Sequence, residues 1–351
     1  MYNYNTITTV ELELTSRCNA ACPQCARNNS GGARVSSLPV NTWTLEKIKT
    51  VFVPKFVEQL EVIYLCGTYG DPLIAKEIIP IVSYFKDINP AVQVSAHTNG
   101  SVRNIQFFAE LATVIDCVIF GIDGLEDTNH LYRRNCKWAK IIDNASAFIN
   151  AGGDAKWDYI VFKHNQHQVE EARKLSKQLG FSSFNVKKSS RFMNYAHRYS
   201  SSLQVKDRHG NTEYTIDLPT DPAYINGAYA DIVSTDIADY KNNTCIKCNA
   251  VRIQEIYIGA DGNVFPCGWL HDRLYPDLVL GSSDNVKITE QINTLPANCF
   301  TNTLEEIVDG AWFRYVKDSW TNTDRLERCS VLCGTGFNLV GDQNTDIDYK
   351  I

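Results

Sequence analysis

No stretch of the sequence approaches the ~18 uninterrupted apolar residues of a membrane-spanning helix, so a helical membrane protein is not expected. The N-terminus, MYNYNTITTV, lacks the basic segment and apolar run of a secretory signal, which points to a cytoplasmic chain whose thiols stay reduced. Positive charge is not in excess either: a net charge of −6 argues against a protein built to coat nucleic acid or acidic lipid. Internal repeats, heptads and low-complexity blocks are missing, which removes solenoids and coiled coils. What remains is an ordinary globular composition. The 351 residues, 44% hydrophobic and 21% charged, suffice for one large domain and a smaller one.

Cysteine is what the chain has in plenty. Twelve thiols in a reducing compartment suggest metal ligation more than disulfides. Cys66, Cys117, Cys136 and Cys299 stand alone; the first three lie in or near apolar strands and read as core residues. The others cluster as Cys18/Cys22/Cys25, Cys245/Cys248, Cys267 and Cys329/Cys333. The first group, in TSRCNAACPQCARN, is a C-x3-C-x2-C array. A disulfide takes two thiols and a closed zinc site takes four ligands. Three thiols can hold three irons of a [4Fe–4S] cluster and leave the fourth open. The alternatives are a zinc ion completed by a distant ligand, or three unrelated buried cysteines, which three thiols on one short loop argue against.

Hydrophobic periodicity predicts strands over 8–14, 61–67, 91–100, 114–124, 155–163 and 181–188, with helices over 74–87, 104–112, 139–150 and 168–180 between them. Strand and helix alternating without hairpins call for a parallel sheet. The polar segments GTYGDP, HTNG and GIDG and the cysteine loop all fall at strand C-terminal ends, the ligand-binding edge of such folds. After residue 190 the pattern changes. Residues 203–216 predict a hairpin around Gly210-Asn211, and the rest of 191–244 has no clear period. That insert or linker is a pocket cover or a surface excursion. From Cys245, a strand pair turning at Asp261-Gly262 precedes a helix over 303–317. The expected division is 1–190, 191–244 and 245–351.

With these elements in place, VELELTSRCNAACPQC resembles the first strand and cluster loop of the radical SAM superfamily. LCGTYGDPLI (65–74) stands where that family has its Gly-Gly-Glu-Pro turn. HTNG (97–100) and GIDG (121–124) are similar to strand ends of its peptide- and small-molecule-modifying branch, and YRRNCKW (132–138) to the arginine-containing segment that follows. The resemblance covers roughly 7–190 and, more weakly, 245–334. It implies an α/β fold: a partial (β/α)6 TIM-like barrel with a small C-terminal domain. It also implies a [4Fe–4S] cluster on Cys18, Cys22 and Cys25, whose open iron chelates S-adenosylmethionine (SAM). One-electron reduction, by a flavodoxin or ferredoxin, would then release a 5′-deoxyadenosyl radical that takes a hydrogen atom from substrate.

By the same resemblance, the backbone at Tyr69, Gly70 and Asp71 receives the methionyl ammonium, and Asn99, Asp123 and Arg134 contact ribose and carboxylate. Read from the residues alone, Asn99-Gly100 is equally a turn, Asp123 a cap, and Arg133 and Arg134 a solvated pair. Two positions depart from the family pattern: Gln24 replaces a frequent aromatic residue, and Asp71 a glutamate.

Cys245-x2-Cys248-x18-Cys267, with Gly262 five residues before Cys267, resembles the SPASM or Twitch extensions that carry auxiliary clusters. Five cysteines fit the Twitch type, with one auxiliary [4Fe–4S] cluster on Cys248, Cys267, Cys329 and Cys333 and Cys245 in reserve. A zinc ribbon suits the same spacing. The implied function is radical chemistry on a small molecule, a carbohydrate or amino-acid derivative, with the second cluster accepting or relaying an electron. A maturase acting on a short peptide, and a non-catalytic zinc or iron–sulfur protein, are the alternatives.

Overall fold

The computed structural model describes residues 2–192, 200–275, 283–321 and 324–336. Six strands, β1 (Thr9–Leu12), β2 (Val62–Leu65), β3 (Gln93–Thr98), β4 (Cys117–Gly121), β5 (Asp154–Val161) and β6 (Ser183–Lys188), pair in sequential order, each parallel to the next. Parallel neighbours need crossovers of one hand, which puts every helix on the same face and curls the sheet around the other. β1 and β6 do not pair with each other, so the barrel stays open: a partial (β/α)6 barrel.

Side-chain alternation follows from this shape. Val10, Leu12, Ile63, Leu65, Val118, Phe120 and Trp157 are fully buried on the helix-covered face, where Phe108 and Phe148 meet Phe120. Their sequence neighbours Glu11, Tyr64, His97 and Asn185 point into the lumen and remain partly accessible. The helices Ile78–Ile88, Ile105–Leu111, Trp138–Asn150 and Val169–Leu179 lie close to the predicted spans. The first starts four residues late because the Asp71 carboxylate accepts from Leu73 N and caps a separate 3-10 turn, Pro72–Ile74. Gly180 closes the last with φ +90°, a left-handed cap.

The hairpin β7 (Ser202–Lys206) and β8 (Thr212–Asp217) forms where expected, its turn held by Asp207 accepting from His209 N and Asn211 N. The stretch without a clear period contains two helices, Ala228–Ser234 and Ile237–Asn243, the second capped by Asp236. The strand pair β9 (Glu255–Ile258) and β10 (Val264–Phe265) turns at Gly262 (φ +83°) and adds to the barrel sheet: β9 pairs in parallel with the free edge of β1, giving eight strands. The single helix predicted over 303–317 is two, Leu304–Val308 and Ala311–Asp318. Gly310, in extended conformation as the second N-cap, breaks it. Among the described residues no helix is long and apolar enough to cross a membrane.

Candidate functional site

The chain leaves β1 through Glu13–Arg17 and enters the cysteine loop at the C-terminal edge of the sheet. The entry is fixed from the side: Thr15 and Ser16 donate to the carbonyls of Asn41 and Pro39. Turns then follow closely, with Cys25 N donating to Cys22 O at 3.0 Å and Asn28 N to Cys25 O at 3.1 Å. Cys22 is buried, while Cys18 and Cys25 are half-buried. The sulfurs face donors. Cys18 Sγ accepts from Ala20 N at 3.3 Å and Asn99 Nδ2 at 3.7 Å, and the Arg133 guanidinium stands 3.9 Å from Cys22 Sγ. Burial pushes the Cys18 thiol up and Cys22 to about 12, with Arg133 opposing the rise at Cys22. N–H donors at Cys18 and a buried positive charge at Cys22 suit thiolates bound to a metal cluster.

The turn after β2 presses on this loop. A Cβ on Gly70 would lie 1.7 Å from Thr15 O, so only glycine allows the approach, and Asp71 N donates to Arg17 O at 2.9 Å. The Asp71 carboxylate is turned inward. It accepts from Leu73 N at 3.1 Å, Thr98 Oγ1 at 2.9 Å and Asn99 N at 2.9 Å, clamping the ends of β2 and β3 together. Asn99 reaches the loop itself, donating to Asn19 Oδ1 at 2.8 Å as well as to Cys18. Asp123 is fully buried and accepts from Ile160 N and Arg133 Nε. Arg134 turns the other way. It pairs with Glu213 and donates to Lys206 O at 3.0 Å, both on the β7–β8 hairpin. Tyr69, Gly70, Asp71 and Asn99 are therefore gathered at the cysteine loop, Asp123 reaches it through Arg133, and Arg134 faces the hairpin.

Sequence reasoning missed Glu13. It is fully buried and accepts from Tyr69 N, from Gly70 N at 3.0 Å and from Tyr257 Oη at 3.1 Å. Burial pushes both Glu13 and Glu11 up to about 7. The alternation in VELEL was the available signal, since it places both acids on one face of β1. The lumen is polar further round as well. Tyr64 Oη lies 3.2 Å from His97 Nδ1, and Asp158 accepts from Asn185 Nδ2 at 2.9 Å with Lys187 Nζ at 3.7 Å. Burial pulls His97 down to about 4.

Residues 12–175, which run from the last residue of β1 through the cysteine loop and the turns just described, match the family model of the radical SAM superfamily. Residues 12–175 form a radical SAM domain. Solved structures agree in fold. SuiB of Streptococcus suis bound to S-adenosylmethionine is 13% identical over 89% of this chain and 68% of its own, with a TM-score of 0.57. SuiB bound to the precursor peptide SuiA gives 13% identity, 88% and 66% coverage and a TM-score of 0.56. The histidine-tagged anSMEcpe with bound AdoMet is 14% identical over 90% of this chain and 81% of its own, at 0.55. No curated protein matches.

The thiols that follow this domain fall into two kinds. Cys248, Cys267, Cys329 and Cys333 line one pocket, shared with Trp269, Trp320 and Arg328. Cys329 and Cys333 are four apart on the helix Glu327–Cys333 and so share a face. Cys248 and Cys267 each stand at the N-cap of a short helix. Burial pushes Cys267 up, reinforced by Cys329 and Cys333, whereas the Cys248 thiol brings Cys333 down to about 7. Cys245 is exposed and does not line the cavity. Among the described residues no three His, Cys, Asp or Glu side chains are gathered to hold a single metal ion. Cys66, Cys117, Cys136 and Cys299 are buried.

Proposed function

We propose that Cys18, Cys22 and Cys25 hold a [4Fe–4S] cluster open to SAM, and that Cys248, Cys267, Cys329 and Cys333 hold an auxiliary [4Fe–4S] cluster. The substrate is a polar small molecule, a carbohydrate or amino-acid derivative. When bound and reduced by a flavodoxin or ferredoxin, the first cluster supplies one electron to SAM, yielding methionine and a deoxyadenosyl radical that takes a hydrogen atom from substrate. A cluster held by Cys248, Cys267, Cys329 and Cys333 would supply an acceptor or relay for an electron from the substrate.

The observation that carries this reading is the single cavity lined by four thiols in a chain that already has a three-thiol loop. The protein's own residues do the positioning. Asn99 and Arg133 donate toward Cys18 and Cys22, and Asp123 holds Arg133 in place. The lumen face, with Tyr64, His97, Asp158, Asn185 and Lys187, offers hydrogen bonds and charge of both signs, which suits a hydroxylated or amino-bearing substrate. A short peptide is the second reading, favoured by the likeness to SuiB with its bound SuiA.

Anaerobic reconstitution tests the proposal. Iron and sulfide analysis should give about eight irons per chain. Dithionite and SAM should yield 5′-deoxyadenosine, and Cys18→Ala, Cys22→Ala and Cys25→Ala should each abolish it. Four irons and one zinc would remove the auxiliary cluster. Intact clusters without deoxyadenosine would remove the SAM chemistry.

A further inference from the structure

The turn after β2 presents its backbone in one orientation, and a single buried carboxylate sets it. Glu13 Oε1 accepts from the amides of both Tyr69 and Gly70, while Oε2 accepts from Tyr257 Oη on β9. Two successive amides converging on one carboxylate oxygen form an anion nest, here filled by the protein itself. Every peptide bond among the described residues is trans. In a planar trans link the carbonyl points opposite to its own amide. With the Tyr69 and Gly70 amides turned to Glu13, the carbonyls of Thr68 and Tyr69 are turned away from it, at the C-terminal edge of the sheet. The concave side is taken by the Glu13 carboxyl oxygen, and what the turn offers on its far side is carbonyl oxygens, which suit a cation. The contact of Gly70 with Thr15 O and the Asp71 N to Arg17 O bond keep this backbone from rotating freely.

We propose that Glu13 is a positioning residue for SAM. It holds two peptide planes so that the Thr68 and Tyr69 carbonyls receive the methionyl ammonium, and Tyr257 ties the C-terminal hairpin into that setting. The inference rests on the SAM reading above. It adds a residue that touches no cofactor and a link between SAM affinity and a strand about 190 residues further along the chain.

The test is equilibrium dialysis of labelled SAM against reconstituted protein of wild-type iron content, with deoxyadenosine kinetics alongside. Glu13→Ala should raise the SAM Kd and KM tenfold or more, with a much smaller change in kcat at saturating SAM. Glu13→Gln, whose amide oxygen still accepts both N–H groups, should recover the greater part of that loss. Tyr257→Phe should weaken SAM binding about threefold. If Glu13→Ala does not load iron, Glu13→Asp carries the prediction: its carboxylate is one methylene short of the nest, so Kd should rise at least fivefold. Wild-type binding that persists within twofold in Glu13→Ala or, failing that, in Glu13→Asp overturns the inference alone. A wild-type protein that binds no SAM with its first cluster in place overturns the SAM reading, and this inference with it.

Discussion

Replacing Gly70 with alanine is the most severe single test of how the turn and the cysteine loop fit. The new Cβ would sit 1.7 Å from Thr15 O, 2.6 Å from Thr15 C and 3.0 Å from Arg17 O. All three are backbone atoms, so no side chain can swing aside. To reach a tolerable 3.0 Å, turn and loop must part by about 1.3 Å. That motion breaks the 2.9 Å bond from Asp71 N to Arg17 O, worth about 1 kcal/mol, and adds roughly 1–3 kcal/mol of overpacking. The expected loss is about 2–4 kcal/mol. With an unfolding entropy of about 2.1 cal/mol/K per residue, this corresponds to a Tm lower by roughly 3–5 °C. Thr15–Arg17 lead directly into Cys18, so the shift also reaches the first of the three proposed cluster ligands. A displacement near 1 Å in a positioned group costs on the order of 100-fold in rate. Calorimetry of the apoprotein and deoxyadenosine formation after reconstitution measure the two effects. Gly210→Ala is the control. It has φ +88° but nothing within 4 Å, so it should lose about 1–2 kcal/mol of stability and no SAM cleavage. A Gly70→Ala protein within 1 °C and twofold of wild type would refute the packing argument.

Three further outcomes follow from the same geometry. Cys248→Ala should lose the auxiliary irons while Cys245→Ala keeps them, read as iron and sulfide per chain; equal loss in both would contradict the assignment. Arg133→Met leaves Asp123 buried without its partner and should cost about 3–5 kcal/mol in urea unfolding. Arg134→Ala, whose partner Glu213 is 42% exposed, should cost no more than about 1 kcal/mol; a reversed order would undo the assignment of the two arginines. His97, held at about 4 against an ordinary 6.5, is favoured in its neutral form by burial. Its contribution to stability is complete above pH 6.5 and is lost as the pH falls toward 4. Glu11 and Glu13, raised to about 7, act in the opposite sense, losing stability as the pH climbs from 4.5 to 7. The difference between wild type and His97→Gln isolates the histidine. It should change by up to about 1.4 kcal/mol per pH unit between 6.5 and 4, and a flat difference would show His97 to be solvated.

The barrel strands, their crossover helices and the polar strand ends were legible because each is a local pattern with its own period. What was not legible depends on where a second face ends up. In β1 the alternation sent Val10, Leu12 and Leu14 inward, leaving Glu11 and Glu13 for the opposite side. An open barrel has no solvent side there. One face meets the helices and the other the lumen, so Glu13 is as buried as Leu12. Arg133 and Arg134 are adjacent and chemically identical. The chain leaves the helix Asn129–Tyr132 at Arg133, whose φ of −83° and ψ of 62° break the helical path, and one guanidinium meets Asp123 while the other meets a hairpin about 70 residues away. Cys245 and Cys248 pose the same problem. Only the helical turn that begins after Cys248 aims its thiol at the cavity.

The parallel pairing of β9 with β1 also separates the two thiol sets. Glu11 lies opposite Tyr257, and Tyr257 opposite Phe265 on the returning strand β10. Cys267, two residues beyond Phe265, therefore lies toward the N-terminal end of β1, near Glu255. Cys18 lies beyond the C-terminal end. The four residues of β1, at about 3.3 Å each, put roughly 10 Å or more between the sites along the strand. At that spacing a metal group on Cys248, Cys267, Cys329 and Cys333 would not share ligands with one on the loop. An electron crosses such a distance far more readily than an atom does. The proposed auxiliary cluster at the far end of β1 would thus suit redox work on what the first site produces, and the Glu13–Tyr257 bond is a direct hydrogen-bonded tie from β9 to the turn beside the loop.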